Sequence, residues 1–101
     1  MGNRIDLQQL LEKLLGSDQV YYQRPETLKM SYPAIRYSKS RISTTKANDK
    51  NYQTHTSYEI IVIDRRPDHP VIQKLLDLPY CSYDRNYVAD NLYHDVLTLY
   101  Y

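Results

Sequence analysis

The segment Tyr58 to Asp64, YEIIVID, constrains the fold more than any other part of the chain. Its β-branched density marks a strand, and successive side chains of a strand point to opposite faces. Ile61 and Ile63 then face one side while Tyr58, Ile60 and Val62 face the other. Both faces of this strand therefore require cover near its end. The chain has 101 residues to supply that cover, which predicts one domain spanning 1–101. A domain of that size removes only about 65% of its unfolded surface from water, so oligomerisation would help it.

The remaining elements follow from periodicity and punctuation. Ile5 to Leu15 predicts an amphipathic helix, because Leu7, Leu10, Leu11, Leu14 and Leu15 form one stripe. Asn3 is a candidate N-cap, and Gly16 stands where a left-handed C-terminal cap belongs. Gln19 to Gln23 reads as a short strand closed by Pro25. Pro33 to Thr44 reads as another, with Ile35 and Tyr37 alternating against Arg36 and Ser38. Thr44 to Thr54, TTKANDKNYQT, is polar and aperiodic, and reads as a long hairpin loop into a strand over Tyr52 to Asp64. Asp68 is the candidate N-cap of a second helix, Pro70 to Leu78, which Pro79 ends. Cys81 to Val88, a turn at Ala89-Asp90-Asn91, and Leu92 to Tyr101 read as a terminal hairpin. This order predicts an α+β fold: a mixed, mainly antiparallel four- to five-stranded sheet with two helices packed on one face.

Composition narrows the chemistry. Twelve Tyr stand with no Phe and no Trp, which suggests rings half-buried at a surface or an interface. Six of the twelve lie at or after Tyr80, on a strand-rich terminus that needs to be paired or covered. One cysteine, Cys81, makes no internal disulfide and fits a reducing compartment. No apolar run approaches the ~20 residues of a membrane helix, so no membrane partner is expected. Asn3, Arg4, Asp6, Gln8 and Gln9 give the N-terminus no secretory-signal character.

No constellation of catalytic or metal-binding type emerges. His55, His69 and His94 lack ligand spacing with one another or with Cys81, so metal ligands and cofactors are expected to be none and the histidines read as surface or interface residues. Cys81 has no glycine turn or helix N-terminus to activate it and reads as a structural thiol. Asp64 with Asp68, Asp84, and Asp90 with Asp95 are the available carboxylates, and each pairs more simply with something else, as in capping and turn chemistry, than in acid–base catalysis. Catalytic residues are therefore expected to be none, and the chain reads as no enzyme.

Charge is unevenly spread. Between Arg24 and Lys50 seven basic residues face two acidic ones, whereas Asp64 to Tyr101 has four basic and six acidic. Such asymmetry suits head-to-tail contacts between copies or steering of a nucleic-acid backbone. Arg36, Lys39 and Arg41 form a candidate basic surface, although Lys39 and Arg41 alternate away from Arg36. Tyr37 and Tyr52 are candidate base-stacking rings for a DNA-binding alternative that uses residues 24–50.

Three segments resemble a known family: SYPAIRY (Ser31 to Tyr37), YEIIVIDRRPD (Tyr58 to Asp68) and LPYCSYDRNYVADNLYHDVLTLYY (Leu78 to Tyr101). They are similar to tail-terminator or tail-completion proteins of long-tailed, siphovirus-like bacteriophages, and lie within a span, 31–101, of about two thirds of the chain. The resemblance implies a virion component of the tail or neck, assembled in the bacterial cytoplasm. It implies a sixfold ring of α+β subunits that caps the tail tube and ends its polymerisation. Expected partners are further copies of the chain, the major tail tube protein, the head-closure or connector protein, and genomic DNA passing through the lumen. An accessory role at the neck is the alternative for so short a chain. With that frame, Lys46, Asn48, Asp49 and Lys50 are expected at a lumen or inter-subunit loop. Tyr83, Asp84, Arg85, Tyr87, Tyr93, Tyr100 and Tyr101 are expected at inter-subunit contacts.

Overall fold

The two-sided strand becomes the middle of a five-stranded sheet. A computed structural model describes residues 4–23, 32–47 and 51–101, with side chains described for 4–23, 32–40 and 56–101. The elements are α1 (Arg4–Leu15), β1 (Val20–Tyr22), β2 (Ala34–Ala47), β3 (Asn51–Asp64), α2 (Pro70–Leu76), β4 (Cys81–Ala89) and β5 (Leu92–Tyr100). The sheet order is β1-β2-β3-β5-β4, with β1 parallel to β2 and the other neighbours antiparallel. The α+β fold, mixed and mainly antiparallel with two helices, is as the periodicity indicates.

Both helices pack on one face. Leu7 and Leu11 of α1, with Val71 and Leu75 of α2, are buried against Ile35, Tyr37, Tyr58, Ile60, Val62, Leu97 and Leu99. Leu10, Leu14 and Leu15 border that core, so the leucine stripe is the buried one. Asp6 in the first turn and Lys13 in the last complement the helix dipole. Gly16 takes φ +83 and donates its N–H to the Glu12 carbonyl at 2.9 Å, the left-handed exit that glycine adopts without strain.

On the other face Ile61, Ile63 and Val96 form a second buried cluster, flanked by Tyr32 and Leu92. The apolar residues at consecutive positions of β3 thus meet different partners: helices on one side, side chains of the sheet on the other.

Tyrosines build part of the helix-side core. Tyr22 and Tyr37 pack with ring centroids 5.0 Å apart, and Tyr37 and Tyr58 with centroids 6.1 Å apart. The Arg4 guanidinium lies 4.5 Å from the Tyr22 ring centre, within cation–π reach. The buried Tyr37 hydroxyl donates to Gln8 Oε1 at 2.5 Å, and Gln8 Nε2 donates to the Val20 carbonyl at 2.9 Å. Gln8 thereby ties α1 to β1 and β2. Burial raises the Tyr37 phenol above its ordinary value despite Arg4 acting the other way, and burial likewise raises Tyr58. Tyr37 is inside the protein and is not a base-stacking platform.

Three local expectations need correction. Thr44 to Thr54 is not mainly loop: β2 runs to Ala47 and β3 begins at Asn51, with Thr44 paired to Thr54 and Lys46 to Tyr52. Threonine-rich, β-branched sequence favours a pleated pairing even without apolar alternation. The cap of α2 is His69, not Asp68; His69 Nδ1 accepts from Val71 N at 3.0 Å. Asp68 sits at φ +59, outside the backbone range of an N-cap. Helix α2 stops at Leu76 rather than Leu78, because Pro79 disfavours helical φ/ψ at Leu78.

Candidate assembly surface

Among the described residues, two features of the fold are left without cover. The first is an arm. Strand β5 pairs with β3 only from Ser57 onward, so among the described residues Ile42 to Ala47 and Asn51 to Thr56 pair with each other alone, save one bond from the Tyr101 N–H to the Thr56 carbonyl. Six residues at ~3.4 Å each carry this two-stranded ribbon about 20 Å past the sheet. The long axis of the molecule is accordingly 52 Å against 25 and 23 Å. Lys46 lies on this ribbon opposite Tyr52, whereas Asn48, Asp49 and Lys50 fall outside the described residues.

The second is the β4 edge. Every residue from Ser82 to Val88 is exposed, and β4 is bonded to β5 alone. Its register shifts between Tyr83 and Arg85, a bulge that changes which face the following side chains take. Tyr83, opposite Leu97, belongs to the helix side, where its hydroxyl donates to Asp95 Oδ1 at 2.6 Å and accepts from Asn86 Nδ2 at 2.9 Å. The bond to Asp95 is the main cause that raises the Tyr83 phenol above its ordinary value. Thr98 Oγ1 donates to Asp84 Oδ2 at 2.5 Å. The Tyr87 ring stacks on His94 with centroids 4.6 Å apart and planes 12° from parallel. His94 is buried rather than a surface histidine, and its Nδ1 lies 3.0 Å from the Leu92 carbonyl. Arg85 is exposed, as are Tyr93 and Tyr100. Tyr101 differs: it is half-buried against the helix-side core, and its N–H reaches the Thr56 carbonyl at 3.1 Å.

The expected inter-subunit set is thus brought together on one hairpin, except that Tyr101 turns inward. The basic set is not brought onto one face. Arg36 pairs with Ile61 on the helix-free side, and Lys39 pairs with Tyr58 on the helix side. The bulge between Lys39 and Arg41 resets the alternation, so Arg41 pairs with Ser57 and shares the register parity of Arg36, not of Lys39. A sequence parity count does not see that insertion.

Two features are not evident from the linear pattern. Tyr80, just before β4, is 79% exposed and holds φ +64, a conformation that costs a non-glycine residue about 1–2 kcal/mol. On the helix-free face, Tyr32, Arg36, Ile63, Tyr87, Leu92 and His94 line a cavity of about 160 Å³. Its walls come from four strands, so no single motif announces it. Cys81 borders the helix-side core, and burial, reinforced by the Asp84 charge, raises its thiol above the ordinary value. That direction works against a thiolate nucleophile. Among the described residues no group of three His, Cys, Asp or Glu is placed to hold a metal ion, and no helix is long and apolar enough to cross a membrane.

No protein-family model matches the chain, and no curated protein matches its sequence.

Proposed function

We propose that this chain is a structural subunit that assembles with copies of itself into a closed ring. Following the likeness of its three segments to tail-terminator and tail-completion proteins, the ring belongs to the head–tail junction of a long-tailed bacteriophage. There it caps the tail tube, ends tube polymerisation and meets the head-closure protein, with DNA passing through its lumen. No catalytic step enters this role.

The observation that carries the reading is the arm. An isolated two-stranded ribbon is at best marginally stable in water, so an arm reaching about 20 Å past its own sheet gains its stability from a partner surface. The exposed, tyrosine-rich β4–β5 hairpin is a surface of the composition that interfaces favour. The DNA-binding alternative draws less support, since Arg36 and Lys39 lie on opposite faces of the sheet.

The test is to add purified protein to polymerising tail tube protein while measuring tube length by electron microscopy. The proposal expects rings of uniform size at tube ends and tubes of arrested length. Unchanged tube lengths, together with DNA binding by the monomer that weakens steeply with salt, would favour the alternative.

A further inference from the structure

Among the described residues the sheet has two long edges without a strand beside them, on its opposite sides, and they differ in charge. On one side lies β4. The two-residue turn Asp90-Asn91, with φ +54 and +61, makes Ala89 and Leu92 a bonded pair. Alternation along the ladder then directs the backbone N–H groups of Val88 and Asn86 away from β5. On the other side, β1 covers β2 only from Ile35 to Tyr37. From Ser38 to Ala47 the outer edge of β2 has no strand beside it among the described residues.

Free edges are normally guarded by proline, charged side chains, bulges, brevity or a covering element, because any extended strand can add to them. Past its bulge at Tyr83/Arg85, β4 runs from Asn86 to Ala89 without a charge. Strand β4 spans nine residues with neither proline nor lysine. The free part of β2 is of matching length and carries Lys39, Arg41 and Lys46 with no acidic residue. The hairpin from Cys81 to Tyr100 carries Asp84, Asp90 and Asp95 against Arg85. The basic β2 edge repels a second copy of itself and attracts the net acidic hairpin.

Building on the self-assembly reading, we infer that β4 of one copy pairs with the outer edge of β2, Ser38 to Ala47, of the next copy. The sheet then continues from subunit to subunit through main-chain hydrogen bonds, as in other cases of strand addition. The two edges are different surfaces, so the contact is heterologous, the kind that closes into rings. The arm, which carries most of this β2 edge, acquires its missing third strand from the neighbour.

Hydrogen exchange followed by mass spectrometry tests the pairing on the native chain, above and below its assembly concentration. Peptides covering 38–47 and 81–89 are expected to slow together by about tenfold or more on assembly, while the inner strand β5 changes little. Assembly without protection of either segment overturns the edge pairing and leaves the ring reading standing. A chain that stays monomeric at every concentration overturns both. Val88→Pro removes one outward donor at an edge position that tolerates proline, and is expected to weaken assembly about tenfold or more with the monomer's fold retained. Val88→Ala keeps the N–H and is expected to assemble like the native chain; loss in both variants to the same degree overturns the backbone role. Should Val88→Pro fail to fold, the exchange experiment alone decides.

Discussion

Replacing residues 44–54 by Asn-Gly shortens the arm and separates the stability of the fold from its capacity to assemble. The replacement joins Ser43 to His55, which are register partners, through a two-residue turn of the kind hairpins favour. It removes four cross-strand pairs: Thr44–Thr54, Thr45–Gln53, Lys46–Tyr52 and Ala47–Asn51. These pairs lie beyond the end of β5, and no third strand is packed on them among the described residues. If the outer ribbon is marginal, the native chain closes an eleven-residue loop where the variant closes one of two. The entropy difference, (3/2)RT ln(11/2), favours the variant by about 1.5 kcal/mol. A ribbon that holds together in the monomer shrinks the gain toward zero. The variant is therefore expected to be as stable as the native chain, or up to about 1.5 kcal/mol more stable, in urea denaturation. Its assembly, followed by light scattering against concentration, is expected to be lost. A loss of more than about 2 kcal/mol would mean that the arm is integral to the monomer's own fold. Undiminished assembly would refute its role as the joining element.

Three further outcomes follow from the core and the caps. Tyr37→Phe leaves Gln8 Oε1 without its buried donor and is expected to cost about 1–2 kcal/mol in urea denaturation; a cost near zero would contradict the placement of Gln8. His69→Ala removes the side-chain cap of α2 and is expected to cost about 1 kcal/mol, whereas Asp68→Gly, at a positive φ, is expected to change stability by less than about 0.5 kcal/mol. Reversal of that order would return the cap to Asp68. Tyr37 and Tyr58 hold their protons more tightly folded than unfolded, so their contribution is complete below the ordinary phenol value of about 10 and is lost as pH rises through the higher folded values. Urea midpoints are expected to be flat between pH 7 and 9 on this account and to fall above pH 10, in step with phenolate absorbance; constant midpoints through pH 11 would contradict the burial of these rings.

Much of the architecture was legible because burial writes period into sequence. Leucines of α1 at helical spacing and the two-sided YEIIVID run each have one structural solution, and each takes it. The arm was illegible for the converse reason. Two strands that no other described element pairs with need no apolar alternation, so TTKANDKNYQT carries loop-like polarity and, at 44–47 and 51–54, strand geometry together. Asp68 and His69 are neighbouring cap formers, and the choice between them lies in a backbone angle rather than in residue type. The twelve tyrosines mislead in one respect. Tyr37 and Tyr58 are core residues, and Tyr22 and Tyr101 border that core. Tyr80, Tyr83, Tyr87, Tyr93 and Tyr100 are the exposed ones among the described side chains. Of the candidate contacts, the hairpin was visible as a cluster in sequence, whereas the bulges that shift the register at Arg41 and Arg85 were not.

The mass of the purified chain in solution, measured from nanomolar to millimolar concentration, tests the central claim most directly. A closed sixfold ring of the 12.1 kDa chain predicts one discrete species of about 73 kDa growing in with concentration, without a ladder of larger polymers. A single species of 12.1 kDa throughout that range would contradict it.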